Sequence, residues 1–208
     1  MSTYADGVFI QDVNGNLWNT EDWDKSVKPN AVAIMSKRCR FLIALANLGF
    51  LCQMSDYRDT PFEIMVDTFN DKRSAKTDYN GFKNTEIITN EFCEEHHFAT
   101  CQCREYVFPD GKTRGYIPSF GQLWIAYRNK DAVDAAFKAC GGCKITKYAP
   151  YWSSTFSKNE RGERGFLMLH WFDGYTYVGN PVIRNRVRPF ADFVGEHFLI
   201  KKLSKDER

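Results

Sequence analysis

The sequence predicts a single α+β domain spanning residues 1–208, on three observations. Short apolar runs separated by turn-forming residues occupy the segments 7–46 and 151–193. Helix-compatible spacing is concentrated between them, so strands and helices are segregated and do not alternate. Hydrophobic residues make up 43% and charged residues 26% of the 208, enough apolar material for one full core in a chain of this length. Aromatic residues reach 15%. Rings serve cores and recognition surfaces alike, because they supply contact area at low entropic cost.

At the N-terminal end, Val8-Phe9-Ile10 is a strand-like run. Asp12-Val13-Asn14-Gly15-Asn16 is turn chemistry, and Leu17-Trp18 resumes the strand pattern. Thr20 is placed to cap a helix beginning at Glu21. Ala31–Met35 reads as a buried strand, and Cys39–Ala46 is a second apolar segment. Ile64, Met65, Phe69 and Lys72 have helical spacing. Asp71–Asn84 is polar and turn-rich, and Thr85–Phe98 carries Ile87, Ile88, Phe92 and Cys93 at helical intervals. Pro109-Asp110-Gly111 marks a turn. Ser119 is placed to cap a helix from Phe120 to Tyr127, because Pro118 holds its predecessor extended. A second helix covers Asn129–Ala139, with Ala132, Val133, Ala136 and Phe137 on one face, and Gly141-Gly142 ends it. Residues 151–155, 166–172, 175–178 and 186–190 are strand candidates. A long polar loop, Ser157–Gly165, joins the first two.

The net charge is +2, with no basic block or stripe, and Lys201–Arg208 mixes signs. This points away from nucleic acid. No apolar stretch approaches the roughly 20 residues that cross a bilayer. No basic segment followed by an apolar run precedes Gly7. Synthesis in the cytoplasm without a signal peptide is therefore expected, and an extracellular role would follow from assembly into a particle such as a virion. Seven cysteines without a secretory signal are expected to be reduced.

Four stretches carry a resemblance. Gly115-Tyr116-Ile117-Pro118-Ser119-Phe120-Gly121-Gln122-Leu123 resembles the "GYLPSxGEL" segment of a bacterial and phage family, and residues 129–142 resemble the helix that follows it. Tyr151-Trp152-Ser153-Ser154-Thr155 resembles its "YWSST" signature, and Val187-Arg188-Pro189 its "VRP" closing element. Gly7–Trp23 is similar to the opening of phage-associated members. The motifs occur in order and are weakest over residues 50–85. The resemblance is to C-type-lectin-fold ligand binders, including the variable proteins of diversity-generating retroelements. It implies a C-type-lectin-like fold of two helices, a small twisted antiparallel sheet and long loops, with terminal strands near Val8–Ile10 and Val187–Phe190 paired or close. It further implies a non-enzymatic recognition protein that binds a cell-surface protein or glycan through its C-terminal hairpins. The alternative is a virion decoration protein packed against capsid or tail. A homo-oligomer such as a trimer suits a fibre-borne module. The adenine-templated variation typical of the retroelement proteins does not yield Met, Lys or Glu, yet Met168, Lys158 and Glu160 stand in this region. These positions are then fixed, or the chain has no diversifying partner.

Along residues 166–172 a two-residue period puts Leu167, Leu169 and Trp171 on one side and Phe166, Met168, His170 and Phe172 on the other. The resemblance makes the first set core, which leaves the second exposed as an interface patch. The competing reading is a strand buried on both faces. The expected ligand surface is Phe156, Asn159, Arg161, Arg164, Phe166, Met168, His170, Phe172, Tyr175, Tyr177, Asn180 and Asn185. Tyr, Asn and Arg are side chains of adaptable recognition surfaces. Arg188 is expected to contact carbonyls or an acid.

No cofactor is expected. The carboxylate-bearing tripeptides of calcium-dependent sugar binding are missing, since Asn180-Pro181 has no acid beside it. Cys93, His96, His97, Cys101, Cys103, Cys140 and Cys143 invite a zinc reading, but only Cys140-x-x-Cys143 has ligand spacing, and free structural thiols are expected instead. The sequence has no Gly-rich phosphate loop, no G-x-S-x-G elbow and no "RGGSW" stretch of the formylglycine-generating enzymes, so no enzyme is expected.

Overall fold

A computed structural model describes residues 6–56, 61–92, 98–146 and 148–193. Among these, five α-helices and nine strands form an α+β arrangement with two sheets. The first sheet is antiparallel, in the order β2-β1-β3-β4-β9, built from Gly7–Asp12 (β1), Leu17–Trp18 (β2), Pro29–Met35 (β3), Arg40–Ala44 (β4) and Phe190–Asp192 (β9). The second has the order β5-β6-β7-β8, built from Thr68–Phe69 (β5), Pro150–Lys158 (β6), Arg164–His170 (β7) and Thr176–Gly179 (β8). Its β5–β6 pair is parallel, so the expectation of one antiparallel sheet is corrected to two sheets. The helices are Lys72–Ala75 (α1), Gly81–Phe92 (α2), Ala99–Glu105 (α3), Phe120–Arg128 (α4) and Lys130–Cys140 (α5). None of them is long and apolar enough to cross a membrane.

The β1–β2 hairpin forms because Asp12 is buried as a turn organiser. Its carboxylate accepts from the Asn14 and Asn16 N–H groups, both at 2.9 Å, and from Trp18 Nε1 at 3.1 Å. Gly15 supplies the positive φ of 87° that the turn needs. Thr20 is not a cap. It begins a short 3-10 turn whose flanking residue is Asn19, which bonds Asp22 across the turn. The terminal strands β1 and β9 lie in one sheet, separated by β3 and β4 rather than paired. The strand at the C-terminal end covers 190–192, not 186–190. Residues 185–190 instead form single bridges, Asn185 with Cys52, Arg186 with Tyr151 and Phe190 with Tyr116.

Helices α4 and α5 fall where the sequence places them. Ser119 precedes α4, and its N–H donates to Gln122 Oε1 at 3.0 Å. Gly141, at φ 76°, closes α5. Three other helical expectations change. The spacing of Ile64, Met65, Phe69 and Lys72 is divided among a 3-10 turn at Phe62–Ile64, β5 and α1. The Asp71–Asn84 stretch holds α1 and the start of α2, because the Asp71 side chain caps α1 by accepting from the Arg73 and Ser74 N–H groups. The helix expected over Thr85–Phe98 starts at Gly81, and Cys93, His96 and His97 lie outside the described residues. Helix α3 carries no apolar periodicity long enough to read.

The core has three parts. Ile10, Val32 and Ile43 of the first sheet meet Phe120, Leu123, Val133 and Phe137 of α4 and α5, together with Tyr151, Leu167 and Leu169 of the second sheet. The opposite face of the first sheet buries Phe9, Ala33 and Leu42 against Phe108. The opposite face of the second sheet buries Trp152, Phe156, Phe166 and Met168 under Met54, Phe62, Val66 and Ile88. Both sheets are thus covered on both sides, which is why β3, β4 and β7 read as continuous apolar runs without alternation.

Arg188 is 1% exposed. Its guanidinium donates to Ala44 O at 2.9 Å and Cys143 O at 2.7 Å, and lies 4.9 Å from the centre of the Phe137 ring. It joins β4, the segment after α5 and the closing segment through carbonyl contacts. Burial pulls it down to about 10, so it stays charged at neutral pH.

With both faces of β7 buried, truncation on either should open a cavity. Leu169→Ala and Met168→Ala are each expected to lower unfolding free energy by about 2–5 kcal/mol in urea titration. A silent Met168→Ala would return that face to the surface.

Candidate functional site

The outward face expected for β7 is corrected by burial. Phe156, Phe166, Met168 and Asn185 are buried and belong to the core. Phe62 packs edge-on against Phe166 at 4.7 Å, and the Asn185 amide nitrogen lies 3.1 Å from Met168 Sδ. The covering side chains include Met54, Phe62, Val66 and Ile88, with Val187 from the chain after β8, all distant in sequence from β7 or outside its own alternation.

The same face emerges into solvent at its far end. β8 pairs Met168 with Tyr177, and the His170 N–H bonds Tyr175 O at 2.9 Å. His170, Tyr175 and Tyr177 therefore line up beyond the cover. Their rings form a ladder, with His170–Tyr177 at 5.8 Å and Tyr175–Tyr177 at 5.9 Å. Tyr175 is 61% exposed, and so is Phe172 in the turn before it. Burial raises the Tyr177 phenol above its ordinary value, and the neighbouring Tyr175 adds to the shift. Its hydroxyl is therefore a neutral donor and acceptor at physiological pH.

The polar loop expected over Ser157–Gly165 is shorter, because β6 runs to Lys158 and β7 starts at Arg164. Asn159 organises the remaining turn. Its Oδ1 accepts from the Arg161 N–H at 3.0 Å and the Glu163 N–H at 2.9 Å, and its amide donates to Glu163 Oε2 at 2.6 Å. Asn159 is thus a turn builder more than a free contact. Arg161 projects into solvent. Arg164 is exposed and pairs with Glu63 at 2.5 Å. Asn180 Oδ1 accepts from the Val182 N–H at 3.2 Å, which shapes the next turn.

Between the 158–163 turn, residues 70–73 and β8 lies a groove of about 810 Å³, floored by Tyr175, Tyr177 and Val178. An adjoining depression of about 740 Å³ shares Glu163, Tyr177 and Val178 and continues past Arg164 to Asn180. These two hollows gather Asn159, Arg161, Arg164, Tyr175, Tyr177 and Asn180 of the expected surface. Phe172 lines neither, and His170 sits at the end of the ring ladder. The wall at 70–73 escaped sequence reading. Lys72 of that wall donates to Thr176 O and lies 5.6 Å from the Tyr175 ring centre, which holds α1 over β8. The Asp71 cap was the one available signal for it.

No family model, curated protein or solved structure matches this chain. The site's chemistry therefore rests on its geometry. Among the described residues no three His, Cys, Asp or Glu side chains cluster as metal ligands. Burial raises the Cys39 and Cys52 thiols to about 11 and Cys103 well above its usual value, so these thiols are protonated and inert at neutral pH. What the groove offers is ring faces, hydroxyls and charged side chains, which suits binding.

The groove floor depends on the close approach of β7 and β8. A Cβ at Gly165 would stand 2.1 Å from Gly179 O. Gly165→Ala is expected to destabilise by about 1–3 kcal/mol and to broaden the Tyr175 and Tyr177 ring resonances in NMR. An unchanged spectrum would show that the two strands are free to separate.

Proposed function

We propose that this protein is a non-enzymatic recognition module of C-type-lectin-like architecture, encoded by a phage or mobile element, that binds a cell-surface protein or glycan through the groove beside its C-terminal hairpins. The architectural part is supported by the placement of β1 and β9 in one sheet, by the successive helices α4 and α5, and by the irregular β6 strand that carries Tyr151–Thr155. The functional part is carried by one observation. Tyr175 stands exposed along an 810 Å³ groove, and the half-buried Tyr177 continues its ring ladder down to the core. Tyrosine rings at the rim of a core give contact area at little entropic cost, and their hydroxyls hydrogen-bond a polar partner. Binding energy at such surfaces concentrates in a few aromatic anchors, each worth roughly 2 kcal/mol or more on truncation.

The test is binding of the fluorescently labelled chain to a panel of intact bacterial cells and to a glycan array. Wild-type protein should bind a subset, and Tyr175→Ala with Tyr177→Ala should weaken that binding at least tenfold while the melting temperature moves by only a few degrees. Binding that survives the double substitution would remove the groove from the account, and no binding to any cell or glycan would remove the recognition function.

A further inference from the structure

The charges around the groove differ in how far the protein itself uses them. Asp71 Oδ1 is occupied by the Arg73 and Ser74 N–H groups at 2.7 and 2.8 Å. Glu163 Oε2 is occupied by the Asn159 amide at 2.6 Å. Lys72 is held by Thr176 O but keeps its charge against Tyr175. The backbone N–H of Ser74 and, after it, Arg73 help to hold the Asp71 carboxyl below its ordinary value, whereas the side chains of Lys158, Arg161 and Glu160 make no hydrogen bond or ion pair with the described residues. The groove lining therefore carries four cations, Lys72, Arg73, Lys158 and Arg161, against three acids, Asp71, Glu160 and Glu163, set around two tyrosine rings tilted by 32° to each other.

We propose, resting on the recognition reading above, that the groove takes an acidic carbohydrate, a sugar unit bearing a carboxylate as in a uronate or sialate. One face of a pyranose presents C–H bonds whose positive ends match the negative face of an aromatic ring, and its rim presents hydroxyls that a phenol can hydrogen-bond. Tyr175 and Tyr177 supply both. Lys158 and Arg161 on the 158–163 wall supply charge-assisted donors for the carboxylate, and the Arg fork suits it best. A volume of about 810 Å³ lies in the roughly 300–1,000 Å³ range of small-ligand sites and accommodates a short oligosaccharide. A nucleic acid fits less well. Asp71, Glu160 and Glu163 interrupt the cations, so a phosphate at every step would meet repulsion that a sparse carboxylate avoids, and the whole chain carries only +2.

The experiment is calorimetric titration of the full chain with two matched pairs, sialyllactose against lactose and tetragalacturonate against its carboxyl-reduced form, with decathymidylate as a polyanion control. The expected result is at least tenfold tighter binding of the acidic member of one pair and weaker binding of decathymidylate. Lys158→Gln with Arg161→Gln should bring the acidic-to-neutral ratio towards one without moving the melting temperature by more than a few degrees. Equal affinity within both pairs, an unchanged ratio in the double variant, or decathymidylate binding as tightly as the acidic sugar would each overturn the proposal. Binding to cells that depends on Tyr175 and Tyr177, with no sugar bound, would overturn it in favour of a protein ligand and leave the recognition reading standing. Loss of cell and sugar binding together would overturn both.

Discussion

Burying a carboxylate away from water costs roughly several kcal/mol unless the protein returns the hydrogen bonds, and Asp78 is only 2% exposed. Its oxygens accept from Thr155 Oγ1 at 2.6 Å, the Asn80 N–H at 2.9 Å and the Asn84 amide at 3.1 Å, all neutral donors. Its backbone carbonyl accepts from Ser119 Oγ at 2.7 Å and the Gly121 N–H at 3.1 Å. The Thr155 hydroxyl in turn accepts from the Phe120 N–H at 2.7 Å. One residue thereby ties the start of α2, the first turn of α4 and the middle of β6. The approach is so close that a Cβ at Gly121 would stand 2.2 Å from the Asp78 carbonyl oxygen. The two motifs around Ser119 and Thr155 are best understood as the two sides of this junction.

The junction also explains why the groove can hold a shape. β6 is irregular between Trp152 and Phe156, where the β6–β7 register shifts. One hydroxyl and one backbone N–H there take over from lost ladder bonds: Ser153 Oγ donates to Leu167 O at 2.8 Å, and the Ser154 N–H donates to Pro118 O at 2.8 Å. Beyond Thr155 the strand continues to Lys158 and the turn that makes one wall. Asp78 lies a short way beyond α1, whose first residues make the other wall. Ser157 Oγ donates to Phe69 O at 2.9 Å and links the two directly. Both walls are thus tied back to the buried polar centre, while the outer side chains of Lys158 and Arg161 stay exposed to meet a partner. Pre-organisation of this kind reduces the ordering cost of binding.

The α+β class was legible because periodicity survives wherever an element buries one clear stripe, as α5 does with Val133, Ala136 and Phe137. Ser119, the Gly141 stop and the β1–β2 turn were legible because capping and turn chemistry is local. The identity of the surface was not. Leu167 and Leu169 lie in the core as expected, beside residues of α4 and α5, but Phe166 and Met168 pack with Phe62 and Val66 from a distant earlier segment. No local signal tells a residue that a distant segment will cover it. Tyr175 follows the Asp173-Gly174 turn and stays exposed, whereas Tyr177, paired with Met168, is half-buried against the core. Asp78 carries no local signal, because a lone Asp in a polar stretch looks solvated and its donors come from positions as distant as Thr155.

The most direct test of this account is a double-mutant cycle on Asp78→Ala and Thr155→Val, with unfolding free energies from urea titration of the two single variants and the double. If the Asp78–Thr155 bond is the centre on which α4, β6 and the groove walls depend, the singles will each destabilise and their sum will exceed the double by about 1–3 kcal/mol. Additivity to within about 0.5 kcal/mol would show that the two residues act independently and that the walls are held by something else.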